Sequence, residues 1–296
     1  MTFATLSPAT PDKVLPDIQA TPDTRNVALK AAGIRQVRLP LTVLEKTGGL
    51  QTVQATLSAC VNVSPQDKGA HLSRLMIALA DWAETPYPQP ASPNKTQPAC
   101  MSFQFAPVLE TLCAQLSADA TTLEAEFPYF IPKAAPVSGL TAPMAYDVKF
   151  KATRQPRQVP TLTLTVTVPV STLCPCSKAI SDAGAHNQRA MVEITVVQPL
   201  PTQDTAPIQV VWIEDVVALA DKASSCPVFP ILKRVDEKWV TERQYHNAKF
   251  VEDVVRDAVV TLRDWHHIDG FSVSVEALES IHAHNAWAEH AEGCLA

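Results

Sequence analysis

The stretch Ser171–Arg189, STLCPCSKAISDAGAHNQR, is the densest gathering of chemically able side chains in the sequence. It holds Cys174, Cys176, Lys178, Asp182 and His186, and it begins where a strongly alternating apolar run ends. Cys-x-Cys followed by a histidine twelve positions after Cys174 is not a zinc-finger spacing, which sets Cys-x-x-Cys against a second matched pair. Two ligands from one segment plus a third from elsewhere suit a catalytic cation instead, with one position left open for water. Pro175 fixes the backbone between the two thiols and so their relative geometry. On spacing alone, a metal site, a nucleophilic thiol and a turn with two incidental cysteines all stay open.

Three further stretches carry reactive groups. In Ile231–Asp253, ILKRVDEKWVTERQYHNAKFVED, the carboxylates Asp236, Glu237, Glu242, Glu252 and Asp253 stand among cations. Composition does not say which of them enter a pocket and which face solvent. Lys68–Arg74, KGAHLSR, puts Lys68, His71 and Arg74 at the expected start of a helix. Free N–H groups and the helix dipole favour an anion there, phosphate included, although an ordinary helix start with surface charges accounts for the pattern too. Glu279–Trp287, ESIHAHNAW, sets His282 and His284 two positions apart. On extended backbone they face the same way, and they can ligate a metal, move protons or contact phosphate. A structural role fits that pair as well.

The elements that must position these residues follow from periodicity. Gln36–Leu44 and Gln51–Val63 alternate apolar and polar residues around Thr47-Gly48-Gly49, the pattern of a β-hairpin. Beyond Lys68-Gly69, HLSRLMIALADWAE has helical spacing until the prolines at 86, 88, 90 and 93 stop it. A second helix is expected at Phe105–Leu116, with strands at Leu123–Ile131 and Ala145–Ala152. The second half repeats the order. Strands Thr161–Ser171 and Arg189–Val197 flank the Cys-Pro-Cys segment, helices follow at Glu214–Ala223 and Lys249–Trp265, and a last strand is expected at Phe271–Ala277. The expected class is α+β, antiparallel sheets covered on one face by helices. Its expected divisions are a loose arm over 1–30, a first module over 31–157 with a Pro-rich insert at 85–98, and a second module over 158–296 that carries the candidate metal residues.

Composition bounds the function. The chain has 296 residues, 46% hydrophobic, with a formal net charge of -6. That balance argues against a nucleic-acid-coating protein, which needs dense basic patches. The Pro-broken N-terminus does not read as a signal peptide, and no apolar run approaches the roughly 20 residues needed to cross a bilayer. A cytoplasmic address without a membrane partner is expected. Seven cysteines, an odd number, do not suggest a disulfide framework in that compartment.

Taken in order, PDIQ (Pro16–Gln19), KGAHLSR, STLCPCSKAISDAGAHNQR, KRVDEKWVTER, NAKFVEDVVRD and ESIHAHNA resemble the signature segments of the type IB GTP cyclohydrolases. Ala70 and Leu72 depart from the Thr and Met more usual there. The resemblance implies the tunnelling fold, two strand–strand–helix–helix–strand–strand modules per chain whose sheets close into a barrel on association. It also implies a homo-oligomer, expected as a tetramer, with active sites between subunits. Cys174, His186 and Glu237 are implied as ligands of a divalent cation, zinc or manganese and also iron. Glu252 is implied as the carboxylate that holds the guanine edge, and His282 and His284 as the proton-handling pair. Lys68, His71, Arg74 and Arg189 are assigned to the triphosphate of GTP. The implied reaction adds water at C8 of guanine, opens the ring, releases formate and yields 7,8-dihydroneopterin triphosphate, the first step of tetrahydrofolate biosynthesis. Two rivals are another tunnelling-fold enzyme, such as a nitrile reductase of the queuosine pathway, and a metal-binding protein without turnover. The first would need a nicotinamide cofactor, and the second leaves Glu252 and the histidines without a role.

Overall fold

In the computed structural model residues 18–19, 21–84, 102–200 and 210–296 are described. Residues 1–17 and 20 of the expected arm over 1–30 lie outside them, as does the Pro-rich insert at 85–98. In chain order the elements are β1 (Leu29–Leu44), β2 (Leu50–Val63), α1 (Leu72–Glu84), α2 (Ser102–Leu116), β3 (Thr121–Ala134), β4 (Thr141–Arg154) and β5 (Thr161–Leu173). Then come α3 (Pro175–Ile180), β6 (Asn187–Pro199), α4 (Ile213–Ala223), β7 (Cys226–Pro227), α5 (Arg234–His246), α6 (Val251–Leu262), β8 (Gly270–Ala277) and β9 (Ala286–Gly293). One continuous antiparallel sheet runs β1-β2-β3-β4-β5-β6-β8-β9, with β7 paired to β5 off that path.

The sheet follows from alternation. Along β5, Leu162, Leu164, Val166, Val168 and Val170 are fully buried, and the threonines between them face the other side. β2, β3, β4, β6 and β8 do the same, and their buried residues form one core with those of α1, α2, α4 and α6. Each such buried side chain contributes about 1.5–3 kcal/mol through lost apolar surface. The opposite face is polar: Lys149 pairs with Glu126 at 2.9 Å, and Thr165 and Thr195 share a hydrogen bond of 2.9 Å. The expected first hairpin forms, longer than its alternation suggested. Its turn uses Gly48 at φ 91°, a conformation that favours glycine. Among the described residues β1 and β9 each pair on one side, so they are the sheet edges.

Four elements were not anticipated: the short α3, the two-residue β7, α5 and β9. α5 buries just Asp236 and Gln244, so it shows no apolar stripe for a periodicity argument to find. β9, AWAEHAEG, alternates poorly because none of its residues is buried. No described helix is long and apolar enough to cross a membrane.

The register fixes which connections share an end of the sheet. Val61 pairs with Thr121, Thr121 with Arg154 and Thr153 with Thr161, so the end of β2 is level with the start of β5. The far end of β5 is level with the start of β6 and, through Ala190 and Ala277, with the end of β8. The β3–β4 turn lies at that same far end, since Asp147 in β4 pairs with Thr167 in β5.

Candidate active site

At that far end the β5–β6 connection folds tightly on itself. β5 stops at Leu173, and Cys174 becomes the N-cap of the short α3, with Pro175 at its first position. The Ser177 N–H donates to Cys174 Sγ at 3.3 Å. Cys174 N–H donates to the His186 carbonyl at 3.1 Å, and His186 N–H donates to Ser177 Oγ at 2.9 Å. These bonds hold the two residues at the neck of one loop. Cys176 sits on α3 and is exposed.

The His186 ring is oriented from below. Its Nδ1 lies 3.1 Å from Gln188 Oε1, and Gln188 Nε2 donates to Glu279 Oε1 at 3.3 Å. With the Gln188 oxygen as acceptor, Nδ1 carries the proton and Nε2 keeps its lone pair. Glu279 Oε2 is 4.0 Å from Nδ1, is buried and has no hydrogen-bond partner among the described residues. A buried carboxylate oxygen without a donor is a place for a cation or a substrate donor. Glu279 opens the ESIHAH stretch, and sequence reasoning gave it no role. A carboxylate at the end of a strand, three residues from a histidine pair, was the available signal.

The same β8–β9 connection carries His282 and His284. Their rings stack 5.0 Å apart at 9°, and both are exposed. Arg189, exposed on β6, accepts a hydrogen bond from Leu278 N–H through its carbonyl at 2.8 Å, which ties β6 to this connection. Beneath the loop, Cys226 on β7 pairs with Ser171 on β5, and burial pushes its thiol up to about 11. It is protonated at neutral pH and unsuited to be the reactive sulfur.

Two helices contact this loop. Lys249 N–H donates to the Leu173 carbonyl at 3.1 Å, which brings the start of α6 alongside Cys174. Glu252, exposed in the first turn of α6, borders a groove of about 440 Å³ with Arg256, Arg263 and His290, the last of these on the edge strand β9. α5 touches the loop at its C-terminal end, where Lys178 Nζ donates to the Tyr245 carbonyl and sits 4.5 Å above the Tyr245 ring. Asn187 Nδ2 donates to Gln244 Oε1 beside it. Glu237 is exposed in the first turn of α5, seven residues before Gln244 and so roughly 10 Å away along the axis. Among the described residues no group of three or more His, Cys, Asp or Glu side chains converges to hold a metal. One chain therefore brings Cys174, His186, Glu279 and the histidine pair to one end of the sheet, and does not close Glu237 onto Cys174 and His186.

Lys68, His71 and Arg74 lie elsewhere. They follow β2, level with the start of β5, a strand length of roughly 40 Å from Cys174 at about 3.3 Å per residue. There His71 and Arg74 line a cavity of about 230 Å³ with Gln19, Asp67 and Asp119. Gln19 Nε2 donates to the Ala70 carbonyl at 2.9 Å, and Arg74 to the Gln115 carbonyl at 2.9 Å.

The model of the family described as type I GTP cyclohydrolase folE2 matches residues 15–288. GTP cyclohydrolase FolE2 of Desulfosudis oleivorans is 40% identical over 272 residues, 92% of this chain and 96% of that protein. The chain belongs to the FolE2 GTP cyclohydrolases. Another relative, GTP cyclohydrolase FolE2 of Nitrosomonas eutropha, is 39% identical over 94% of this chain and 95% of its own length. Among solved structures, a hyper-thermostable AgUricase mutant superposes with a TM-score of 0.50 at 10% identity, covering 89% of this chain and 91% of that one. That likeness concerns the fold, an antiparallel sheet backed by helices. Every site segment quoted above lies inside the FolE2 match.

Proposed function

We propose that this FolE2 chain hydrolyses GTP to 7,8-dihydroneopterin triphosphate and formate, with net consumption of one water. The observation that carries the reading is the Cys174–His186 neck, with the unpartnered Glu279 oxygen beside the His186 ring. Sulfur, imidazole and carboxylate together suit a divalent cation, zinc, manganese or iron, without choosing among them. Such a cation supplies Lewis acidity and lowers the pKa of water toward neutrality, which the attack on C8 of guanine requires.

The chain's own residues do the rest. Cys174 and His186 hold the cation, Gln188 and Glu279 fix the His186 ring, and Glu237 completes the ligand set from another copy of the chain. Glu252 accepts two parallel hydrogen bonds from guanine N1–H and the exocyclic amine. Adenine offers no such pair, so a carboxylate in that place discriminates between the purines. His282 and His284 move protons while the ring opens and the ribose rearranges. Arg189 stands on this end of the sheet for the triphosphate. Lys68, His71 and Arg74 serve it from another copy, because the sheet separates them from Cys174 within one chain.

The open edges β1 and β9 and the polar sheet face support closure into a barrel by association, and we assign a homotetramer acting in the cytoplasm. The test is direct. Purified protein given GTP should form a fluorescent neopterin after oxidation and dephosphorylation, with one formate per product, and a chelator should stop it. Consumption of NADPH without that product would instead favour the nitrile-reductase chemistry.

A further inference from the structure

Asp236 is fully buried although it neighbours the exposed Glu237 at the start of α5. Its Oδ1 accepts hydrogen bonds from Val137 N–H at 2.9 Å and Ser138 N–H at 2.8 Å. Its Oδ2 accepts from Ser138 Oγ at 2.7 Å and from Lys233 N–H at 2.9 Å. Three of these four donors come from the β3–β4 turn, nearly a hundred residues away in the chain. The fourth is a backbone N–H at the helix start, so the carboxylate also caps α5. The turn itself is closed, by Ala135 N–H on the Leu140 carbonyl at 2.8 Å and by Gly139 at φ 68°.

A helix cap needs one donor from its own first turn. Asp236 spends three acceptor positions on a distant hairpin instead, and that hairpin is part of the rigid sheet. The far end of α5 is fastened separately, by Lys178 and Asn187, to the loop that carries Cys174 and His186. α5 is thus pinned at both ends, and its first turn takes its position from the β3–β4 turn.

We propose that Asp236 and Ser138 form a positioning clamp that sets Glu237 for cation binding. The inference rests on Glu237 being a cation ligand. Asn at 236 keeps the size but turns an NH₂ toward donors that need an acceptor, which loosens the clamp. Ala at 138 removes one donor from the hairpin and leaves α5 and its ligand untouched in sequence.

The experiment measures Mn²⁺ affinity of the full chain by electron paramagnetic resonance of free Mn²⁺, for wild type, Ser138→Ala, Asp236→Asn and Glu237→Ala. The absorption spectrum of the Co²⁺-loaded proteins reports ligand geometry, and circular dichroism reports the fold. Asp236→Asn should weaken Mn²⁺ binding by roughly 10- to 100-fold, the range typical of residues that orient a ligand. Ser138→Ala should weaken it severalfold, with a shifted Co²⁺ spectrum and an unchanged dichroism spectrum. Wild-type affinity in Ser138→Ala, while Glu237→Ala loses the metal, overturns the clamp and leaves the ligand standing. Wild-type affinity in Glu237→Ala removes the ligand and the clamp with it. If Asp236→Asn does not fold, Ser138→Ala decides the matter alone.

Discussion

Cys174 and Cys176 are two positions apart in sequence but differ in surroundings. Cys174 caps α3 and shares the loop neck with His186, whereas Cys176 projects from the helix to solvent. Cys174→Ala and His186→Ala should each lose bound metal together with activity, and Cys176→Ala should keep at least part of its metal, as read by elemental analysis of dialysed protein. Full metal content in Cys174→Ala would falsify the assignment. Glu279→Gln leaves the His186 ring less well oriented and should weaken metal binding roughly 10-fold or more. Glu252→Gln acts on a different ligand. It should spare the metal and weaken GTP binding by about 2–5 kcal/mol, the usual loss on breaking a charged hydrogen-bond pair that the bound guanine and a neighbouring copy of the chain bury. Equal GTP affinity in calorimetry would take Glu252 out of the guanine site.

At the scale of elements, the site depends on strands whose ends are level. β5 sits at the centre of that arrangement, and Leu164 on it is fully buried. Leu164→Ala should cost about 2–5 kcal/mol in denaturant unfolding while KM for GTP stays unchanged in the protein that remains folded. Elements built by burial were legible in the sequence. Thr161–Ser171 alternates without a break, and it forms β5 within two residues of the expected end. α5 was not legible, because the side chains it buries are Asp236 and Gln244, which periodicity counts as polar. The pairing of Cys174 with His186 came from the family resemblance, since spacing alone left a metal site, a reactive thiol and an incidental turn open. The role of Glu279 was not legible, since its meaning lies in a contact with His186 across 93 residues. The opposite placement of Lys68 and Cys174 follows from sheet register, which no single segment encodes.

At the scale of the whole molecule, residues assigned to one site lie apart within a chain and two sheet edges are open, and both observations point the same way. Glu237 does not reach Cys174 and His186 within one chain, Lys68 to Arg74 lie at the other end of the strands, and Glu252 borders a groove lined by an edge strand. We infer from these placements that copies of the chain complete each other's sites. Cys174→Ala and Glu237→Ala are each predicted to be inactive alone. Mixed in equal amounts while denatured and refolded together, they should regain activity in about a quarter of the sites, the share in which neither lesion falls, for a symmetric closed assembly. Absence of any recovery, in oligomers verified to contain both variants, would contradict the claim, as would a fully active monomer by light scattering.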